Sequence, residues 1–245
     1  VQDGAGDMLT VFISGVAVTT HLFSESEVLS DALVVDAGVT LETGDLNAPH
    51  NYVRFYLARW IPYAARIVYL DTDVIVKGDV CELHDSVFQE RRGGAHKVLA
   101  AVPRRHLPLS FYLKVFSPKM PTWVPSSAPS FNAGVMVIDM HAWEELNVTG
   151  EVLTWARQNK ERELWRHGSQ PPLLLLLYDR VEWIADVWNV DGLGHHGQPS
   201  PALIEKAKIL HWTGPLKPWL SNGLRKELWE PFRVHCWERD SVIMP

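Results

Sequence analysis

Cysteine is scarce in this chain: Cys81 and Cys236 are the only two in 245 residues. Two cysteines that far apart either pair or stay free, and two are too few for a zinc cluster. Long apolar runs are missing as well. The longest unbroken aliphatic run, Leu173 to Leu177, falls well short of the roughly 20 residues that span a bilayer. There is no block of basic residues, and the net charge of −6 excludes nucleic acid as a natural partner. An acidic chain that takes an anionic substrate needs local cations or a metal to do so. Internal repeats and low-complexity segments are absent. With 47% hydrophobic and 21% charged residues, the composition is that of a folded globular chain and excludes disorder.

The length suits one large domain, and a single domain over 1–245 is the expectation. A chain that begins at Val1 rather than Met reads as a fragment or mature portion, so any targeting or anchoring segment is expected outside it. Asn147-Val148-Thr149 is a glycosylation acceptor triplet, with meaning only in the secretory pathway.

The organising stretch is Arg66 to Val76, Arg-Ile-Val-Tyr-Leu-Asp-Thr-Asp-Val-Ile-Val. Apolar and β-branched residues on both sides of an acidic centre read as strand, short turn, strand. Asp71 and Asp73 at the end of a buried strand repel each other and lose hydration, which is costly unless a cation lies between them. Oxygen ligands in that position suit Mg²⁺ or Mn²⁺, metals that commonly also hold a substrate phosphate. An Asp-x-Asp alone is equally an ordinary solvated turn, so the remaining motifs decide.

In chain order, Met8 to Val18 reads as a strand broken at Ser14-Gly15. His21 to Leu33 reads as helix or loop, Leu33 to Val35 as a short strand and Gly38 to Pro49 as a loop. Asn51 to Ala65 reads as a helix with Val53, Leu57 and Trp60-Ile61 on one face and Pro62 ending it. Arg54 falls at the border of that face. Its default is the surface, and the alternative points it at a phosphate. Val80 to Val87 is a short helix or edge segment, Lys97 to Val102 a buried strand, and Arg104 to Ser130 a long surface loop. Ser130 to Asp139 is a second buried strand whose Asn132-Ala133-Gly134 entry lets a ligand approach the backbone. Met140 to Lys160 is an apolar-striped helix interrupted near Asn147 to Gly150. Gly168 to Tyr178 is a capped helix start with prolines in its first turn and Gln170 at its mouth. Val181 to Val190 is a strand. Ala207 to Trp212 is the last strand, running into Thr213-Gly214-Pro215-Leu216-Lys217. A histidine at a strand end is usually structural, but here Gly214 frees the backbone to face an anion and Lys217 adds a point charge. Strands alternating with helices predict an α/β fold with a mainly parallel sheet and ligands at the carboxyl strand ends.

Leu70-Asp71-Thr72-Asp73, Phe131-Asn132-Ala133-Gly134-Val135 and His211-Trp212-Thr213-Gly214-Pro215-Leu216-Lys217-Pro218-Trp219 occur in this order and at fitting separations. Together, across about residues 50 to 230, they resemble the retaining glycosyltransferases of family 8. The paired prolines after Gln170 and Trp188-Asn189 before Gly192-Leu193-Gly194 look like its galacturonosyltransferase-like and glycosyltransferase-8-domain-containing branch. The resemblance implies a GT-A, Rossmann-like fold and a UDP-sugar donor with a carbohydrate acceptor. It also implies Mn²⁺ (or Mg²⁺) on Asp71, Asp73 and His211. Lys217 and Gly214 would then take the diphosphate, Arg54 and Thr72 would lie near the donor, and Asn132 and Ala133 would line the sugar pocket. Gln170 would face the anomeric carbon as a positioning residue, because an amide is a poor nucleophile beside a carboxylate. A Golgi-lumenal location with a membrane anchor outside the chain is implied too.

The chain departs from the family pattern twice. The Ala-Ala-x-Asp segment of the first strand is not found, so the first strand is expected to be missing. Pro103-Arg104-Arg105 stands where members often place an acid near the donor sugar, which leaves the sugar open. Two other readings remain. One is an inactive sugar- or nucleotide-binding relic. The other, a haloacid-dehalogenase-type phosphatase built on Asp71-x-Asp73, leaves the His211 to Trp219 segment unexplained.

Overall fold

A computed structural model describes residues 9–13, 16–20, 46, 49–89, 96–166 and 168–233. The expectations for His21 to Leu33 and Leu33 to Val35, almost all of Gly38 to Pro49, and Cys236 lie outside these residues. Strands β1 (Leu9–Ile13) and β2 (Val16–Thr20) pair antiparallel with Ile13 opposite Val16, so the expected break at Ser14-Gly15 separates two hairpin strands. A 3-10 helix, Pro49–Phe55, leads into α1 (Leu57–Trp60), β3 (Arg66–Leu70), β4 (Val74–Val76) and α2 (Val80–Ser86). Then come β5 (Leu99–Ala101), β6 (Pro103–Pro108), α3 (Leu109–Tyr112), β7 (Pro129–Phe131) and β8 (Val135–Asp139). The rest is α4 (Met140–Glu145), α5 (Val148–Arg162), α6 (Gln170–Leu177), β9 (Val181–Trp183), α7 (Pro201–Lys206), β10 (Ile209–His211) and α8 (Lys226–Trp229).

The chain divides into two compact units, Val1–Tyr69 with Leu83–Ile184 and Leu70–Glu82 with Ala185–Pro245. In the first, a sheet in the order β3-β8-β5-β9 carries the core. Val135 to Ile138 are fully buried, as expected for a strand covered on both faces. The leucines of α6 are buried on several sides, Leu173, Leu174, Leu175 and Leu177 alike, so no single apolar stripe exists and the helix runs through the core.

The α/β class holds, but the sheet is mixed rather than mainly parallel: β5 runs parallel to β9 and antiparallel to β8. The cause lies in the stretch expected to be a structureless loop. After β5 the chain continues as β6, turns through α3, and returns as β7 antiparallel to β6. A return without a crossover helix brings β8 back antiparallel. Leu109, Leu113, Met120 and Val124 bury apolar side chains along this excursion and join the core of the first unit.

Three further expectations change in detail. The Asn51 to Ala65 helix is a 3-10 segment followed by one short α-turn. The Val181 to Val190 strand stops at Trp183 and gives way to a 3-10 turn at Asp186–Trp188. Ser169 makes no capping bond with its side chain, and α6 starts on its prolines instead. The interruption at Asn147 is present, with φ of 47° between α4 and α5.

In the second unit, β4 and β10 pair antiparallel with His211 opposite Val74. Val190, Leu193, Leu210 and Trp212 form its small core. Among the described residues no helix is long and apolar enough to cross a membrane.

Candidate metal and diphosphate site

The register of β4 and β10 builds the second unit's site. One step beyond the His211–Val74 pair, the Trp212 N–H donates to the Asp73 carbonyl at 3.0 Å. That bond fixes Asp73 beside the end of β10. Its Oδ1 then meets His211 Nε2 at 3.1 Å, and its Oδ2 accepts from Lys217 Nζ. Ligand atoms of Asp71, Asp73 and His211 all lie within 4.8 Å of one another. Thr72 is exposed at the turn, and β3 ahead of it is half-buried throughout rather than buried.

His211 is held by Asn189, which the sequence reading quoted in the family-like segment but gave no role. Asn189 Oδ1 lies 2.9 Å from His211 Nδ1, and a carbonyl oxygen there requires Nδ1 to be the donor. The other ring nitrogen, Nε2, which faces Asp73, is then the one a metal would take. The donor set of two carboxylates and an oriented imidazole fits a divalent cation such as Mn²⁺. Asn189 follows the 3-10 turn, and its place under His211 comes from the bond of Val190 N–H to Ile209 O at 3.0 Å. A pairing between distant segments leaves no spacing signal in the sequence.

Lys217 is positioned by its own loop. Its ammonium also donates to Trp212 O at 2.7 Å. The loop closes through Leu224 N–H to Leu216 O at 3.2 Å and Trp212 Nε1 to Leu224 O at 3.0 Å. Gly214 has φ of 109°, and a Cβ there would come within 2.6 Å of Gly194 O. The glycines of 192–194 and 214 thus let two backbone turns touch, with Gly194 N–H donating to Thr213 O at 3.0 Å.

Burial alone would raise the Asp73 carboxyl. The hydrogen bonds and positive charge of His211 and Lys217 outweigh it and lower the pKa from 3.8 to about 2. A folded-state pKa below the unfolded one stabilises the metal-free protein fully above pH 3.8, and the contribution fades as pH falls through about 2. With a side chain only 14% exposed, the shift corresponds to about 2 kcal/mol. Denaturant unfolding of the metal-free wild type and Asp73→Asn at pH 5 and near pH 2 checks this. The stability gap between them should shrink by about 2 kcal/mol at the lower pH. A gap that stays constant would contradict it.

The first unit brings together four of the other predicted residues around the two peptides that flank the Ala133 Cα. Gln170 Oε1 accepts the Ala133 N–H at 2.9 Å, and Arg54 Nη1 donates to Ala133 O at 2.9 Å. Asn132 Oδ1 takes the Gly134 N–H at 2.8 Å. Arg54 is buried and stacks over Tyr69, its guanidinium carbon 5.0 Å from the ring centroid. Its surface default is therefore wrong. In a 3-10 segment the faces repeat every three residues, so a helical wheel of period 3.6 misplaces it. Because an N–H must face an oxygen, the Gln170 amide orientation is fixed, with its NH₂ group at the opposite end. Arg104, where an acid was sought, donates to the Tyr112 hydroxyl at 2.8 Å.

A mixed sheet with an Asp-x-Asp turn, a strand-end histidine and a lysine loop defines a GT-A-type glycosyltransferase fold. Solved structures similar to it agree. They include the galactosyltransferase LgtC in complex with donor and acceptor sugar analogs, with a TM-score of 0.53 at 20% identity, covering 71% of this chain and 62% of that one. The glycosyltransferase GlyE of Streptococcus pneumoniae aligns with a TM-score of 0.52 at 20% identity, covering 74% and 42%.

The chain belongs to glycosyl transferase family 8, whose model matches residues 18–223. It is 33% identical over 195 residues to probable galacturonosyltransferase 10 of Arabidopsis thaliana, covering 76% of this chain and 36% of that protein. It is 30% identical over 212 residues to glycosyltransferase 8 domain-containing protein 1 of Homo sapiens, covering 79% and 57%. The chain thus spans between about a third and just over half the length of these relatives. Membership of this family displaces the phosphatase reading.

Proposed function

We propose that the chain is the catalytic portion of a Mn²⁺-dependent retaining glycosyltransferase that moves a sugar from a UDP-sugar to a carbohydrate hydroxyl. The observation that carries this reading is the convergence of Asp71, Asp73 and His211 with Lys217 in the second unit. Asp71, Asp73 and His211 would hold the cation, with Asn189 orienting the imidazole. When bound, the cation neutralises the UDP diphosphate and acts as Lewis acid for its departure. Once the Asp73 carboxylate serves the cation, the Lys217 ammonium is the group left to donate to diphosphate oxygens, beside the Gly214 backbone. Thr72 is assigned to the nucleotide.

Arg54, Asn132, Ala133 and Gln170 are assigned to the donor sugar on the strength of the family motif and of the clamp that Arg54 and Gln170 form on the backbone either side of the Ala133 Cα. Gln170 is a positioning residue. Its NH₂ end donates to the sugar, and the second lone pair of Oε1 faces positive charge developing at the anomeric carbon. An amide at that place favours same-face attack over a covalent intermediate. A Golgi-lumenal setting, with a membrane anchor outside this chain, fits the family and the Asn147 triplet.

The test is UDP release from a panel of UDP-sugars with Mn²⁺, with the product's anomeric configuration read by proton NMR. Retention is expected. Gln170→Ala should lower kcat on the order of a hundredfold while leaving UDP affinity nearly unchanged. Near-normal turnover in that variant would remove Gln170 from the reaction. UDP binding with no turnover on any sugar would instead favour the binding relic.

A further inference from the structure

We infer that Asn147 carries an N-linked glycan, attached before this region folds. This goes beyond the transferase reading and rests on the secretory setting proposed with it, not on the activity. Asn147-Val148-Thr149 is the only Asn-x-Ser/Thr triplet in the sequence. Asn147 is exposed at the left-handed junction between α4 and α5, with φ of 47°. Its carboxamide lies over Gly150, where a Cβ would fall 2.4 Å from Asn147 Nδ2. The atom that would bear the sugar therefore rests on a residue without a side chain.

Thr149 sets the timing. Its hydroxyl donates to Phe55 O at 2.7 Å and accepts from Trp143 Nε1 at 3.0 Å, and Val148 is fully buried. The third residue of the triplet is thus committed to the fold and unavailable for recognition of the acceptor. Transfer must precede that commitment. In the step, Nδ2 of Asn147 bonds to C1 of an oligosaccharide from a lipid-diphosphate-linked donor. The C1–O bond to the diphosphate breaks, the lipid diphosphate leaves, and one amide proton is lost.

The experiment sends this chain through the secretory pathway of a eukaryotic cell behind a cleavable leader and reads its mass before and after a glycan-releasing amidase. The wild type should carry an oligosaccharide whose release turns Asn147 into aspartate. Thr149→Ser should keep the glycan, while Asn147→Gln and Thr149→Ala should lack it entirely. Because transfer precedes folding, the reading is equally valid on chains retained inside the cell. An unmodified wild type, or an increment that survives in Asn147→Gln, overturns the assignment.

Discussion

Asp73→Asn will abolish metal-dependent UDP binding while leaving the fold intact. The backbone carbonyl of residue 73 keeps its bond from the Trp212 N–H, so the β4–β10 ladder keeps its register. What changes is charge. The wild-type carboxylate meets His211 through one oxygen and Lys217 through the other, and an amide can offer an acceptor to only one of them. As a metal ligand, an amide oxygen lacks the charge that holds a divalent cation against two neighbouring cationic or imidazole groups. Loss of an outer-shell partner alone typically costs 10–100-fold in metal affinity, so losing a ligand should cost on the order of a hundredfold or more. The check is titration of Mn²⁺ and UDP into the variant beside its circular dichroism spectrum. Unchanged affinity with an unchanged spectrum would remove Asp73 from the metal.

Gly214→Ala is expected to be nearly as damaging by a different route. The position has φ of 109°, and the new Cβ would come 2.6 Å from Gly194 O, 2.8 Å from Gly194 C and 2.8 Å from His195 Cδ2. Backbone atoms cannot step aside as a flexible side chain can, so the turn around 192–194 must separate from 213–214. Strain at positive φ costs roughly 1–2 kcal/mol and overpacking against backbone about 1–3 kcal/mol. A loss of about 3 kcal/mol in the second unit follows. Lys217 hangs on the same loop, so nucleotide affinity should fall along with thermal stability. A variant with wild-type melting behaviour would contradict the close approach.

The motifs at strand ends were legible because their chemistry is local. Asp71 and Asp73 share a turn, and Lys217 and Gly214 share a loop with His211, so order along the chain already places them as neighbours. Ala133 and Gln170 were legible as candidates but not as partners, since the bond between them joins residues 37 positions apart. Arg54 was misplaced because its segment winds with three residues per turn, and a period chosen for α-helix put a buried guanidinium at the rim. The mixed sheet escaped notice for a related reason. Residues 104–130 are rich in proline and aromatics without a period, yet β6 and β7 pair across them and reverse the next strand. Asn189 was legible only as part of the family-like Trp188-Asn189 segment, and its role has no signature until β10 arrives beside it.

The most direct test of the account is calorimetric titration of UDP into the intact wild-type chain with and without Mn²⁺. Binding that requires Mn²⁺ is the predicted result, because the diphosphate of an acidic chain's ligand needs the cation held by Asp71, Asp73 and His211. Binding of equal strength without the metal, or no binding in its presence, would contradict the claim that these residues form a nucleotide-diphosphate site.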